Sequence, residues 1–144
     1  MRTSRRRARF RFVASATVVL AVAVSVLGCV GPEERGPPDL ADVEGHLGLT
    51  VGYLPEGCQP VGLDGDGRGR MVGAGFDCPE GATVRIERFD EEFIDEPLDA
   101  APTATAPGRV EWRDDSTGDG IRVASDVLDV DVLRRVAESI EIRG

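Results

Sequence analysis

Apolar positions fall along this chain in three patterns. Residues 12–28 (FVASATVVLAVAVSVLG) form an unbroken run without a charge. A stretch with few large apolar side chains follows. Short segments then alternate apolar and polar residues with the period of a strand. Leu49-Thr50-Val51-Gly52-Tyr53 alternates weakly and predicts an edge strand or an extended lead-in. Residues 58–63 predict a short strand whose Pro60 favours an edge or start position. Residues 71–77 predict another, weakened by Gly73 and Gly75. The cleanest is 83–89, with Val84 and Ile86 on one face and Arg85 and Glu87 on the other. Between them stand turn residues: Leu54-Pro55-Glu56-Gly57, the Asp/Gly-rich 64–69 and Cys78-Pro79-Glu80-Gly81. The strands around the last two turns therefore read as an antiparallel meander. Residues 90–108 read as a long surface loop pinned to the core by Phe93, Ile94 and Leu98. Val110-Glu111-Trp112 and 121–125 predict a hairpin across a turn at 114–120.

Near the end the period changes. Val132, Leu133, Val136, Ala137 and Ile140 make one apolar stripe, which predicts a helix over 130–141 with Asp129 as its N-cap. Arg134, Arg135 and Glu138 face solvent. The predicted class is α+β: a small antiparallel sheet with one C-terminal helix packed on one face.

Charge sharpens the domain organisation. Six of the 17 arginines precede the apolar run, and all 26 acidic residues follow Cys29. A basic leader, an apolar run and a small residue form a targeting pattern that stands outside the fold. A run of about 17 residues is short for a spanning helix, which needs roughly 20. Val26-Leu27-Gly28-Cys29 resembles the lipobox of bacterial lipoproteins. That resemblance implies a signal peptide at 1–28 removed before Cys29, and a diacylglyceryl thioether on the Cys29 sulfur. It places the chain at the outer face of the cell membrane, held through a lipid anchor.

Residues 29–46 read as a flexible acidic tether rich in Pro and Gly, because such a composition buries too little apolar surface to offset ordering. One helical turn at Leu40-Ala41-Asp42-Val43 is the only structure expected there. The small α+β extracytoplasmic domain is then 47–144. After Cys29, 11 arginines stand against 26 acids, a formal charge of −15. That balance argues against a nucleic-acid partner, which must be met with cations.

Residues 50–142 resemble an uncharacterised bacterial domain of lipoproteins and of the extracytoplasmic parts of anti-sigma-factor-like proteins. The resemblance is carried by Tyr53-Leu54-Pro55-Glu56-Gly57, Gly108-Arg109-Val110-Glu111-Trp112, Ile121-Arg122-Val123 and Leu133-Arg134-Arg135-Val136-Ala137-Glu138-Ser139-Ile140. It implies an accessory or sensory role and brings no catalytic residues.

Candidate chemistry is sparse. In an exported chain Cys58 and Cys78, flanking one predicted hairpin, are expected to form a disulfide. The turn Asp115-Ser116-Thr117-Gly118-Asp119-Gly120, with Asp126 at the twelfth position, matches a calcium-loop pattern, and 64–69 matches it less well. Both are equally read as ordinary turns, and no metal or cofactor is expected. His46, the only histidine, falls in the tether, so no Ser-His-Asp or Cys-His set can be assembled. Trp112 is read as a core residue rather than a sugar platform. The expected function is non-enzymatic: binding, sensing or assisting an envelope protein partner. Two alternatives stand beside it, a carboxylate-dependent extracytoplasmic hydrolase and a carrier of an apolar ligand.

Overall fold

A computed structural model describes residues 36–143. Residues 1–28, expected to be a signal peptide, Cys29 and the start of the expected tether lie outside them. The first element is helix α1, Leu40–Leu47. Asp39 and Asp42 build a reciprocal cap: the Asp39 carboxylate accepts from the Asp42 amide at 2.8 Å, and the Asp39 amide donates to the Asp42 carboxylate at 3.1 Å. Val43 and Leu47, spaced i and i+4, are fully buried.

This corrects the tether boundary. A capped helix over Leu40–Leu47 lies within the expected tether, and two helical turns replace the single one expected. The acidic composition hid a two-residue apolar stripe that finds its partners only in the assembled sheet. His46 moves with it: it occupies the last turn of α1, half-buried, with Nε2 2.7 Å from the Asp64 carbonyl.

Strand β1, Leu49–Val51, leads to a meander of β2 (Gln59–Gly65), β3 (Met71–Asp77) and β4 (Thr83–Phe89). A second meander follows: β5 (Thr103–Ala106), β6 (Arg109–Arg113) and β7 (Gly120–Ala124). Antiparallel pairing of β4 with β7 joins the two into one six-stranded sheet, ordered β2-β3-β4-β7-β6-β5. Helix α2, Val130–Glu138, packs on β6 and β7, and α1 packs on β2 and β3. Both helices contribute to one apolar cluster with the same sheet face, through Val43, Leu47, Leu133 and Val136. The α+β class and the C-terminal helix on the sheet are as expected; α1 is an addition.

Two further expectations are corrected. Thr103–Ala106 is an edge strand, not loop, because its alternation pairs it with β6 between Pro102 and Pro107. The C-terminal helix stops at Glu138. Ile140–Ile142 leaves it as β8 and pairs antiparallel with β1. Ser139 makes the break: its Oγ donates to the Val136 carbonyl at 2.7 Å and accepts from the Tyr53 amide at 2.9 Å. Cys58 and Cys78 flank the β2–β3 pair and are disulfide-bonded, with an S–S distance of 2.02 Å and Cα atoms 4.0 Å apart. Trp112 is buried on the helix-covered face. Among the described residues no helix is long and apolar enough to cross a membrane.

Candidate functional site

The sheet face opposite α1 and α2 is covered only in part, by the 90–102 segment, and many of its side chains are charged. Strand alternation puts Arg85, Glu87 and Phe89 of β4 there, with Arg122 of β7 and Arg109, Glu111 and Arg113 of β6. Register then aligns them. Glu87 lies opposite Arg122, and Arg122 lies opposite Glu111. The Arg122 guanidinium bridges both acids, Nε to Glu111 Oε1 at 2.6 Å and Nη1 to Glu87 Oε2 at 2.9 Å. Glu87 also accepts from Arg85 Nε at 2.7 Å, and Arg85 Nη2 reaches Asp64 on β2 at 2.8 Å. At the other end Thr105 of β5 donates to Glu111 Oε2. One row of alternating charge thus runs from β2 across the glycine of β3 to β4, β7 and β6, and ends on the Thr105 hydroxyl of β5.

Two glycines permit this row. Arg85 reaches Asp64 by passing over Gly73 of the intervening β3. A Cβ at Gly73 would stand 2.6 Å from Asp64 Oδ1 and 2.9 Å from Arg85 Nη2. Gly120 gives the same clearance to Phe89, whose ring would lie 2.2 Å from an added Cβ. The ring in turn sits 5.1 Å from the Arg122 guanidinium carbon, a cation–π contact that fixes the arginine from the side.

Glu111 is the buried carboxylate of the row, 7% exposed. Burial pushes its carboxyl up. Hydrogen bonds from Thr105 and Arg122, with the charges of Arg122 and Arg109, outweigh that and hold it below the ordinary carboxylate range. For Arg122, burial acts against the charged form, and its bonds to Glu111 and Glu87 raise its pKa regardless.

A cleft of about 330 Å³ opens where the 90–102 segment arches over this face. Its floor is Phe89, Glu111 and Arg122, and Phe93, Ile94 and Leu98 line the arch. These three were expected to pin the loop to the core; they instead make an apolar wall, half-buried. The arch is held by Arg113, whose amide donates to the Asp99 carbonyl at 2.8 Å and whose Nη2 meets Glu91 at 3.1 Å. Arg70 clamps Glu92 and lies 5.3 Å from the Phe93 ring centroid.

The acidic turns are committed to other partners. Asp119 is held by Arg88 at 2.6 Å, and Asp114 accepts from the Thr117 amide and hydroxyl at 2.9 and 2.7 Å. Asp66 accepts from the Arg68 and Arg70 amides at 2.9 and 3.1 Å. Among the described residues no three His, Cys, Asp or Glu side chains are grouped to hold a metal ion. Of the sequence-predicted site residues, Cys58 and Cys78 are brought together, while Cys29 lies outside the described residues. The charged row was not foreseen. Its one local signal is the outward Arg85-x-Glu87 pair of the best-patterned strand; the partners come from strands far away in sequence. Comparison of the chain with protein-family models, with curated proteins and with solved structures returns no match.

Proposed function

We propose that this chain is an exported bacterial lipoprotein, anchored through Cys29 at the outer face of the cell membrane. Its domain serves as a non-enzymatic binding module for an envelope partner. The observation that carries the binding reading is the charge-compensated row on the sheet face opposite α1 and α2. A carboxylate-dependent hydrolase needs one acid held protonated near neutral pH. Glu111, the buried acid of the row, is shifted the opposite way and is tied to Thr105 and Arg122. A carrier of an apolar ligand needs an enclosed apolar cavity, and the 330 Å³ cleft has a charged floor. The leader and the Val26-Leu27-Gly28-Cys29 pattern support the anchor. The Cys58–Cys78 bond suits an oxidising compartment, and the resemblance of 50–142 to the lipoprotein-associated domain favours an accessory role.

The test is the intact mass of the protein extracted from native membranes, with and without reductant, followed by crosslinking in those membranes. The expected mass begins at Cys29 with diacylglyceryl and gains two hydrogens on reduction. A mass that retains residues 1–28 refutes the lipoprotein reading. A product-forming activity lost on Glu111→Gln refutes the non-enzymatic one.

A further inference from the structure

The cleft beneath the 90–102 arch is lined by three charged side chains that take no ion pair in the row. After Cys29 the chain has 26 acids for 11 arginines, so carboxylate partners are abundant. Seven arginines of the described residues take ion pairs. Arg109, on the sheet wall of the cleft, takes none among the described residues. On the arch wall of the same cleft stand Asp95 and Glu96, also without an ion pair or hydrogen bond there. Opposite charges that do not pair with each other therefore line one cleft, with Phe93, Ile94 and Leu98 as apolar surface beside them.

We propose that this cleft binds a small zwitterion with an apolar side group, the chemistry of a free apolar α-amino acid or a short peptide. Its carboxylate would pair with Arg109, its ammonium with Asp95 and Glu96, and its side group with the apolar wall. The size suits this class: about 330 Å³ is at the low end of small-molecule sites, roughly 300–1,000 Å³. Arg109 offers two parallel N–H donors to a carboxylate. Asp95 and Glu96 would repel a simple anion, and Arg109 would repel a simple cation, so a ligand of one sign is met by like charge on one wall. The inference deepens the binding-module reading and rests on it.

The test is isothermal titration of the full-length protein in a non-ionic detergent. The probes are L-leucine, L-leucyl-L-leucine, N-acetyl-L-leucine (no ammonium) and L-leucinamide (no carboxylate). The expected result is saturable binding of leucine or the dipeptide, with each blocked probe at least about tenfold weaker, a loss near 1.4 kcal/mol. The tighter of the two zwitterions identifies the source as amino acid or peptide. Arg109→Gln should weaken the zwitterion about tenfold without weakening leucinamide, whereas Arg109→Lys, which keeps the charge but not the fork, should fall between the native protein and Arg109→Gln. Asp95→Asn with Glu96→Gln should weaken leucine and spare N-acetyl-leucine. No saturable binding of either zwitterion at millimolar concentration overturns the proposal, as does equal binding of the blocked probes. If nothing binds while crosslinking still captures an envelope partner, the cleft assignment falls and the module reading stands. If the dipeptide binds and is recovered cleaved, the cleft stands and the non-enzymatic reading falls.

Discussion

Arg122→Met isolates the contribution of the charged row. The native guanidinium neutralises Glu111 and Glu87, whose side chains are only 9% and 14% exposed. Methionine keeps most of the aliphatic volume and leaves two like charges facing each other across β7. Removing one partner of a buried pair costs roughly 3–5 kcal/mol. The Arg122 side chain is itself 30% exposed, so solvent screening places the ionic loss nearer 2 kcal/mol. The Phe89 contact adds about 0.5–1 kcal/mol, giving a total near 3 kcal/mol at pH 7. Stability is measured by urea unfolding followed through Trp112, the single and buried tryptophan. With a slope of about 1.5 kcal/mol per molar urea, the midpoint should fall by about 2 M.

The pH dependence checks the cause. In the native protein the folded-state pKa of Glu111 is depressed, so its contribution is complete above the unfolded value and is lost as pH falls through the folded one. In the variant burial acts on Glu111 without Arg122, its folded pKa rises, and the variant loses stability as pH rises through the carboxylate range. The gap between the two proteins should therefore narrow on going from pH 7 to pH 3.5. A midpoint within 0.3 M of the native one at pH 7, or a gap that stays constant with pH, would refute the reasoning.

Three more outcomes follow from the same geometry. Leu47→Ala should cost about 2–4 kcal/mol in urea unfolding, and Leu40→Ala, on the exposed side of α1, under about 0.5; equal small effects would return α1 to the tether. Gly120→Ala drives a methyl into the Phe89 ring and should lower stability by about 1–3 kcal/mol, with recovery in the double variant carrying Phe89→Leu, both read by thermal melting. Cys58→Ser with Cys78→Ser removes a link across 20 residues and should cost roughly 3 kcal/mol, seen as a lower urea midpoint with the native circular dichroism spectrum retained.

How much was legible in the sequence followed how local each signal is. The β2–β3–β4 meander could be read because Val84 and Ile86 alternate with Arg85 and Glu87, and because turn residues and two cysteines bracket the strands. The C-terminal stripe was visible from Leu133, Val136 and Ala137 alone. Helix α1 was not, since Val43 and Leu47 are a thin stripe in an acidic segment and draw their stability from β2 and β3. Strand β5 escaped because Thr-Ala-Thr-Ala has strand alternation without apolar weight, and its neighbours had marked it as loop. Ile140 fitted the helical stripe in sequence, yet it pairs with Val51 of a strand nearly ninety residues earlier. The charged row was hidden for the same reason: Glu87 and Arg122 become neighbours only once β4 and β7 pair.

The β1–β8 pairing sets an order of events. Leu49 is matched to Ile142, the Arg143 amide donates to the Gly48 carbonyl at 3.1 Å, and the Arg143 side chain meets Thr50 and Glu44 at 2.9 and 2.8 Å. A chain is delivered N-terminus first, from a ribosome or through a pore. Strand β1 therefore precedes its partner in that ribbon by nearly ninety residues and waits for β8 to be delivered before it can pair there. The β8 strand acts as a latch on the domain, so a product interrupted or clipped before Ile140 lacks it and presents an open β1 edge.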